Sequence, residues 1–393
     1  MSESVVIVSA RRTPIGSFQG GLSPLSAVEL GAAANRAALA DSEVAAAEIS
    51  EVISGCVLPA GLGQAPARQA ALAAGLPESI PCTTINKVCG SGMKAATLAH
   101  DSIRAGSADI VLAGGMESMS NAPYLLSKAR SGYRMGHQQV LDHMFFDGLQ
   151  NPYDGNMMGH FAEMCVDKYG FTREEQDAYT IESVTRALDA VKSGRFRDEV
   201  TPLTIKTRKG EAVVENDEEP FQCNLEKIPT MRPAFKRDGG TVTAASSSSI
   251  SDGAAALVLM TATEAERRSL APLARIVGHG GIAHAPEWFT TAPVSAIANL
   301  HEKIGWQVED VDLYEINEAF ACVAMAPIKE LGIPHEKLNV NGGACALGHP
   351  IGATGARIIV TLIHALRDRG LKRGIAALCI GGGEATAIAV ELP

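Results

Sequence analysis

Residues 86–93 form the most informative stretch of this chain, and they read Asn86-Lys87-Val88-Cys89-Gly90-Ser91-Gly92-Met93. The stretch follows an extended apolar run and precedes a helix-like one, so it predicts that Cys89 lies where a strand leads into a helix. Its glycines allow unusual backbone dihedral angles and the close approach of a ligand. Because the dipole and free N–H groups of a helix N-terminus lower the pKa of a thiol, the stretch predicts a nucleophilic cysteine on a β-strand–turn–α-helix unit.

Two more glycine-rich segments lie near the C-terminus. One places His349 between Gly348 and Pro350, and the other places Cys379 just before the glycines at 381–383. A histidine supplies the base that activates a thiol. A second thiol, with an ordinary pKa of about 8.5, can move protons in either direction near neutral pH. Together the three segments are typical of covalent acyl transfer through a cysteine.

The rest of the chain predicts an α/β fold. Strand-like runs at 5–8, 51–57, 83–88 and 109–113 alternate with helix-like runs at 26–40, 66–74 and 90–105. The alternation resumes with strands at 251–260, 273–277, 311–316, 337–340 and 375–380 and a helix at 352–369. Such alternation predicts parallel or mixed sheet layered with helices. Residues 109–117 and 375–384 are both apolar strands that end in glycines and a glutamate, which indicates two similar halves.

Four motifs, in this order, resemble those of the thiolase family: residues 86–96, Asn317-Glu318-Ala319-Phe320, residues 339–357 and residues 379–385. The resemblance runs from 5 to 392, with an opening signature at 10–14. It implies two similar mixed-sheet α/β halves packed in a layered αβαβα arrangement, plus a loop domain. The N-terminal half is expected at 1–117, completed by about 250–270, the loop domain at 118–249 and the C-terminal half at 271–393. Cys345 departs from the family, which usually has an aliphatic residue there.

The stretch 118–249 interrupts the alternation of strands and helices. We predict helices at 158–168 and 172–193, the second opened by the capping-box sequence Thr172-Arg173-Glu174-Glu175. The charged segment 208–219 is predicted to be an exposed hairpin. In the thiolase family this insertion is the loop domain that covers bound coenzyme A.

The resemblance also implies a role for each reacting group. Cys89 would be the nucleophile, and His349 would deprotonate it and hydrogen-bond the thioester oxygen. Cys379 would be the general acid and base. Asn317, acting through a bound water, would form one oxyanion hole with His349, and the backbone N–H groups of Cys89 and Gly381 would form a second.

The groups that hold coenzyme A are less well defined, because the chain has no Walker-type phosphate loop. Ser248 falls where the family's serine contacts the pantetheine amide, although its serine run at 246–249 is equally typical of a flexible linker. Met158 and Phe289 correspond to bulky pocket walls of short-chain members. The other expected substrate or coenzyme A contacts are Leu149, Phe235, Ala244, Ala319 and Phe320.

A cationic loop at 128–137 is similar to the loop that joins dimers in tetrameric members of the family. Its charged residues are Lys128, Arg130, Arg134 and His137. The same cations could instead contact the coenzyme A phosphates or form a solvated face. From the resemblance we expect a homotetramer, built as a dimer of dimers.

Composition sets wider bounds on function. The chain has 393 residues, 46% apolar and 20% charged, which allows a large packed core. A net charge of −10 argues against nucleic-acid binding. There is no membrane-length apolar run and no N-terminal leader pattern, so we expect a cytoplasmic protein. The eight cysteines show neither a disulfide-framework spacing nor a CxxC pair, and six are expected to be small buried hydrophobes. We expect no metal and no cofactor, since coenzyme A would be a substrate.

The implied reaction is that of an acetyl-CoA C-acetyltransferase. It is the reversible thiolysis of acetoacetyl-CoA, or the condensation of two acetyl-CoA molecules, by a ping-pong mechanism through an acetyl-cysteine. One alternative is a broad-specificity 3-ketoacyl-CoA thiolase of fatty-acid β-oxidation, which acts on long chains. An alternative of another class is a non-catalytic acyl-CoA-binding protein on the same fold. β-Ketoacyl synthases share the fold and nucleophile but typically have a histidine in the role expected of Cys379.

Overall fold

The computed structural model of the chain describes residues 3–207 and 210–393. Its strands are β1 (Val5–Arg12), β2 (Gly16–Ser17), β3 (Glu51–Gly55), β4 (Cys82–Ile85), β5 (Ile110–Ser118), β6 (Tyr124–Leu125), β7 (Leu141–Asp142), β8 (Leu203–Thr207), β9 (Gly210–Val214), β10 (Ser251–Thr261), β11 (Ala274–Ala283), β12 (Leu313–Ile316), β13 (Arg373–Ile380) and β14 (Glu384–Glu391). Its α-helices are α1 (Ala27–Ser42), α2 (Pro66–Ala73), α3 (Ser91–Arg104), α4 (Met158–Tyr169), α5 (Arg173–Ser193), α6 (Glu219–Gln222), α7 (Ala262–Arg267), α8 (Ala292–Ile304), α9 (Ala321–Leu331), α10 (Ala344–Leu347) and α11 (Ile351–Asp368). A π-helix spans Met144–Leu149.

The two halves build sheets with the same strand order. In the N-terminal half the order is β4-β3-β5-β10-β1, with β3 parallel to β4 and β5 and with β10 antiparallel to β5 and β1. In the C-terminal half the order is β12-β13-β14-β11, with β12 parallel to β13 and with β14 antiparallel to β13 and β11. Two residue pairs between β1 and β11 join the sheets at one edge. The predicted duplication is therefore visible in the topology.

The strand predicted at 337–340 is reduced to one parallel bridge between Leu338 and Tyr314. The reason is Asn339, whose backbone is left-handed with a φ of 47°. Its side-chain amide replaces a neighbouring strand: Oδ1 accepts from the Ile316 N–H at 2.8 Å, and Nδ2 donates to the Ile316 carbonyl at 2.8 Å. The bridge occupies the place that β4 has in the other half.

Helices α3 and α11 contact each other and lie between the two sheets. The outer face of the first sheet is covered by α1 and α2, and that of the second by α8, against which α9 packs. This arrangement has the five layers αβαβα and confirms the predicted fold class. Helix α11 is buried along nearly its whole length, and its polar side chains Thr354, Arg357, Thr361 and His364 have hydrogen-bond partners in the interior. Helix α8 was not predicted from the sequence.

The stretch 118–249 folds onto the two halves. Phe161 on α4 and Tyr179 on α5 share a hydrophobic cluster with residues of the C-terminal half. The predicted capping box is present, since Thr172 accepts from the Glu175 N–H at 3.2 Å and the Glu175 carboxylate accepts from the Thr172 N–H at 2.8 Å.

The prediction of an exposed hairpin at 208–219 is only partly right for the residues that the structure describes, and 208 and 209 lie outside them. The exposed strand β9 lies within this segment, but its partner β8 precedes it. Asp217 is buried, and its carboxylate accepts from the Arg12 guanidinium at 2.7 and 2.9 Å and from the Ile15 N–H at 2.7 Å. A distant arginine therefore draws this charged residue into the interior, which the local composition does not indicate.

All eight cysteines are free thiols. Of the six expected to be small buried hydrophobes, Cys82 and Cys223 are only partly buried. Cys345 packs in the interior, where its sulfhydryl lies 3.6 Å from the Glu318 carbonyl. Across the described part of the chain, no helix combines the length and apolar character needed to cross a membrane.

Candidate active site

Cys89 lies in the tight turn between β4 and α3, two residues before the helix begins. The preceding residue, Val88, has a φ of 45°, which is a strained conformation for a β-branched residue. The turn is fixed by the Asn86 side chain, which accepts from the Val88 N–H at 2.8 Å, and by Ser91 Oγ, which accepts from the Lys87 N–H at 2.8 Å. The predicted strand–turn–helix placement of Cys89 is therefore correct.

The glycines around Cys89 serve packing. A Cβ on Gly92 would lie 2.6 Å from the backbone nitrogen of Ala356 on α11. A Cβ on Gly90 would lie 2.5 Å from Ile380 Cδ1. Gly92 is therefore required, because the start of α3 lies against the backbone of α11, whereas a side chain at Gly90 would have to displace the movable Ile380 methyl group.

The pKa of Cys89 differs from the sequence-based expectation. Burial of the sulfur raises it to about 11, and the backbone N–H groups of Gly381 and of Cys89 itself lower it only in part. The thiol is therefore protonated at neutral pH and needs a base at the moment of attack. The two N–H groups that face the sulfur are the pair expected to form an oxyanion hole.

His349 is held in the form that a general base requires. Its Nδ1 lies 2.7 Å from Thr354 Oγ1, and that hydroxyl donates its own hydrogen to the Pro350 carbonyl at 2.9 Å. With the hydroxyl hydrogen directed at Pro350, Thr354 Oγ1 accepts from Nδ1–H, and this arrangement leaves Nε2 unprotonated. Burial, together with the charge of Arg357, lowers the His349 pKa to about 3, which keeps the ring neutral at physiological pH.

Asn317 lies beside the free nitrogen of that ring. Its Nδ2 is 3.4 Å from His349 Nε2, and its Oδ1 has no hydrogen-bond partner within the described residues. Its backbone N–H donates to the Ala377 carbonyl at 3.0 Å, which anchors it to β13. The structure thus brings the predicted Asn317 and His349 together at a buried point.

The next residue, Glu318, has a structural task. Its carboxylate accepts from Tyr179 and Ser183 of α5 at 2.8 Å each and from Asn339 Nδ2 at 2.7 Å. It also accepts from the Cys345 N–H at 3.1 Å. The motif at 317–320 therefore joins α5 to the C-terminal half and also holds Asn317 beside His349.

Cys379 is fully buried near the end of β13, next to the turn that carries Gly381. Burial raises its pKa well above the ordinary value, and the nearby Cys89 thiolate, when formed, raises it further. Cys379 is therefore a protonated thiol close to Cys89, as a general acid must be before it acts.

An apolar cavity of about 220 Å³ opens beside Cys89. Most of the predicted residues line it together: Cys89, Leu149, Met158, Phe235, Ser248, Phe289, Ala319, Phe320, His349 and Gly381. Asn317 and Cys379 are buried behind its wall. Ala244 is not among the lining residues and is exposed at the turn that precedes the serines, so its predicted contact is not supported here.

The serine run is ordered by hydrogen bonds. Ser246 and Ser247 are buried, and Ser247 Oγ donates to the Thr243 carbonyl at 2.7 Å. The Ser248 N–H donates to the Ala319 carbonyl at 3.0 Å. The run is therefore a fixed part of the cavity wall, which rules out the linker interpretation.

Several residues of the site were not found from the sequence. Thr354 was missed because its role depends on the geometry of one helical turn. In the sequence, Glu117 is only the glutamate that ends the apolar strand at 109–117. In the structure its buried carboxylate accepts from the Gly352 N–H at 2.9 Å, beside the His349 loop. Glu384, the corresponding glutamate at the end of 375–384, forms a salt bridge with Lys87, two residues before Cys89. Further lining residues are Met119, Phe145, Gly148, Met157, Gly159, Ser247, Ser249, Ile250 and Ile351.

Comparison with known proteins agrees with this geometry. Residues 5–263 match the family model described as thiolase, N-terminal domain, and residues 270–392 match thiolase, C-terminal domain. An acetyl-CoA acetyltransferase of Chromobacterium violaceum is 51% identical over 99% of this chain and 100% of its own length. Acetyl-CoA acetyltransferase 2 of Arabidopsis thaliana is 50% identical over 99% of this chain and 97% of its own.

Solved structures give the same result. The Acat5 thiolase of Ascaris suum, crystallised in complex with coenzyme A, superposes with a TM-score of 0.94 at 44% identity and full coverage of both chains. The acetyl-CoA acetyltransferase of Bacillus anthracis superposes with a TM-score of 0.97 at 44% identity over 100% of this chain and 99% of its own. Matched along both halves by sequence and by fold, the chain belongs to the thiolase family.

Proposed function

We propose that this protein is an acetyl-CoA C-acetyltransferase that interconverts acetoacetyl-CoA plus coenzyme A with two molecules of acetyl-CoA. The observation that carries the proposal is the group of three that lines one cavity: the Cys89 thiol, the His349 imidazole and the backbone N–H of Gly381, which faces the Cys89 sulfur. Relatives of about half identity over their full length carry this activity in their names.

In the first half-reaction, the Cys89 sulfur attacks the ketone carbon of acetoacetyl-CoA while His349 Nε2 takes the thiol proton. The ketone oxygen becomes an oxyanion that the N–H groups of Cys89 and Gly381 stabilise. The carbon–carbon bond then breaks and leaves an acetyl group on Cys89. Cys379 donates its proton to the departing enolate, which leaves as acetyl-CoA.

In the second half-reaction, the Cys379 thiolate takes the proton of an incoming coenzyme A thiol. That thiolate attacks the acetyl-cysteine, and a second acetyl-CoA forms. The Cys89 thiolate leaves and recovers its proton from His349, which restores both cysteines. Asn317 Oδ1 can accept from a bound water, and that water and the newly protonated His349 Nε2 donate to the thioester oxygen of the departing enolate. The chemistry needs no cofactor, since side chains supply every proton and the nucleophile.

The cavity supports a short acyl group. Its volume of about 220 Å³ is bounded by Met158, Phe235, Phe289 and Phe320. A drug-sized ligand needs about 300–1,000 Å³, so little space remains for a long tail. The β-oxidation alternative is therefore disfavoured. The non-catalytic alternative is disfavoured because both cysteines and the histidine are chemically competent.

Thiolysis of 3-ketoacyl-CoAs of increasing length tests the substrate, and cysteine variants test the roles. Cys89→Ala should abolish turnover and acetyl transfer to the protein. Cys379→Ser should still become acetylated on Cys89 but should lose carbon–carbon chemistry, because a hydroxyl is too weak an acid near pH 7. Cys223→Ala, a partly exposed cysteine outside the cavity, is the matched control. Undiminished condensation by Cys379→Ser, or equal cleavage of long chains by the wild type, would contradict the proposal.

We further propose a homotetramer joined through the loop between β6 and β7. This loop carries the four cations of the 128–137 segment and exposes apolar side chains, among them Tyr124 (67% exposed), Leu126 (52%), Met135 (90%) and Val140 (56%). Such a projecting apolar patch is typical of an interaction surface. Deleting 127–137 should yield active dimers by light scattering. A wild-type dimer at working concentration would contradict the proposal.

The eight free cysteines support a reducing compartment, because cysteines of proteins in oxidising compartments are commonly paired in disulfides. We propose a cytoplasmic enzyme on this basis. Fractionation of the source cells followed by a thiolysis assay tests the location, and activity confined to a non-cytoplasmic fraction would contradict it.

A further inference from the structure

His100, Asp101 and His279 form a cluster that the acyl-transfer chemistry does not use. His100 and Asp101 lie in the last turns of α3, in the N-terminal half, and His279 lies on β11, in the C-terminal half. His100 Nδ1 and His279 Nε2 are each 2.9 Å from the same oxygen, Asp101 Oδ1, and are 3.2 Å from each other. Three potential metal-ligand atoms from two elements therefore converge on one point.

The three atoms have the spacing of a metal-binding face. For an ion about 2.05 Å from each atom, the usual Zn–N and Zn–O distance, the three ligand–ion–ligand angles would be about 90°, 90° and 103°. Three ligands at these angles occupy one face of an octahedron or of a compressed tetrahedron. The two rings are nearly perpendicular, at 86° with centroids 5.0 Å apart, so they approach the point from different directions.

The chemistry and exposure of the cluster select the kind of ion. Two imidazole nitrogens and one carboxylate suit first-row transition ions such as Zn²⁺, whereas Mg²⁺ and Ca²⁺ prefer all-oxygen sites. The His100 side chain is 7% exposed and that of His279 is 18%, so the nitrogens are fixed by packing. The Asp101 side chain is 53% exposed, which gives an ion an entry path and leaves its other positions to water.

We propose that His100, Asp101 and His279 bind a divalent transition-metal ion, with Zn²⁺ as its representative, which links α3 to β11 and so ties the two halves together. His100 lies 11 positions after Cys89, and the nine helical steps from Ser91, where α3 begins, span about 14 Å at 1.5 Å per residue. The site is therefore remote from the acyl-transfer cavity. It is independent of the proposed function, and the ion would stabilise the fold without entering the reaction. The sequence led to the expectation of no metal site, and this proposal replaces it. Asp101 and His279 are 178 positions apart, so the sequence shows no chelating pattern at these residues.

The test uses untagged, chelator-treated full-length protein titrated with Zn²⁺ by calorimetry. The wild type should bind one Zn²⁺ per chain, and His279→Gln should lose at least tenfold in affinity for this site. The control His284→Gln removes a histidine just beyond the end of β11, where it contacts Ser295 at 3.2 Å, and should bind as the wild type does. The apparent Tm should rise with Zn²⁺ in the wild type and in His284→Gln but not in His279→Gln.

Equal Zn²⁺ binding by His279→Gln, or no stoichiometric binding by the wild type, would overturn the proposal and leave a hydrogen-bonded cluster only. Should His279→Gln fail to fold, the wild type still decides the matter through Cu²⁺ paramagnetic resonance. Couplings from two imidazole nitrogens are expected. A spectrum without them, or one dominated by thiolate ligation from the free cysteines, would count against the site.

Discussion

Thr354 offers the sharpest test of how the site works, because its hydroxyl fixes the tautomer of His349. Thr354→Val keeps the shape of the side chain and removes the hydroxyl that lies 2.7 Å from His349 Nδ1. The Pro350 carbonyl keeps two other donors, the N–H groups of Ala353 and Thr354 at 2.9 Å each. The substitution therefore leaves one group unpaired, the buried N–H of His349.

A buried N–H without a partner costs about 1–3 kcal/mol. The imidazole can avoid this cost by moving its proton to Nε2, but that tautomer cannot accept the Cys89 proton. The active tautomer then becomes rarer by the same free energy, so the rate of Cys89 acetylation should fall about 5- to 150-fold. The pKa of Cys89 and the cavity itself should be little changed.

Quenched-flow measurement of coenzyme A release from acetyl-CoA, per folded chain, gives this rate directly. Thr354→Ser should restore most of it, because the serine hydroxyl can accept in the same place. Thr361→Val, two turns along α11, is the matched control, since its hydroxyl serves Glu199 at 3.1 Å. Nitrogen chemical shifts of labelled histidine should show the Nδ1–H form in the wild type. A rate for Thr354→Val within about twofold of the wild type, or an equal loss in Thr361→Val, would refute the reasoning.

Three further predictions concern the cavity and the buried titrating groups. Phe289→Ala removes a ring of the cavity wall that packs edge-to-face on the Phe161 ring, with the centroids 6.2 Å apart. The space gained should hold two more methylenes at about 0.8 kcal/mol each, so kcat/KM for a six-carbon 3-ketoacyl-CoA relative to acetoacetyl-CoA should rise about fifteenfold. An unchanged ratio would contradict the proposed pocket. Because the Cys89 pKa is about 11, its alkylation by iodoacetamide should keep accelerating from about pH 7 to about pH 9, whereas a plateau near neutrality would mean a preformed thiolate. Burial raises the Glu117 pKa from 4.5 to about 7. At a pH between these two values, Glu117 is therefore protonated in the folded state and ionised in the unfolded state. The free energy of unfolding of the wild type should therefore fall as pH rises through this window, and Glu117→Gln should flatten the fall in urea titrations; parallel curves would contradict the assignment.

The local pattern of the sequence was sufficient for most of the elements and for naming the candidate reacting groups, but it missed α8 and predicted a strand at 337–340 that is only a bridge. The apolar run before Cys89, the small residues after it and the capping box at Thr172 are short-range signals, and each produced the element it predicted. The order of the four motifs along the chain carried the family and the expected fold. These features depend on neighbouring residues or on their order, which a sequence displays directly.

The contacts between distant residues were decided by the tertiary structure alone. Burial, rather than the helix N-terminus, governs the pKa of Cys89, and a hydroxyl one helical turn away governs the tautomer of His349. Each of the two corresponding glutamates contacts the opposite half. Glu117 of the N-terminal half accepts a hydrogen bond beside the His349 loop, and Glu384 of the C-terminal half forms a salt bridge beside Cys89. The sequence by itself therefore determined which elements carry the groups that are expected to react. Only the packed structure determined their protonation and their partners, because desolvation and hydrogen bonding depend on what the fold brings within a few ångströms.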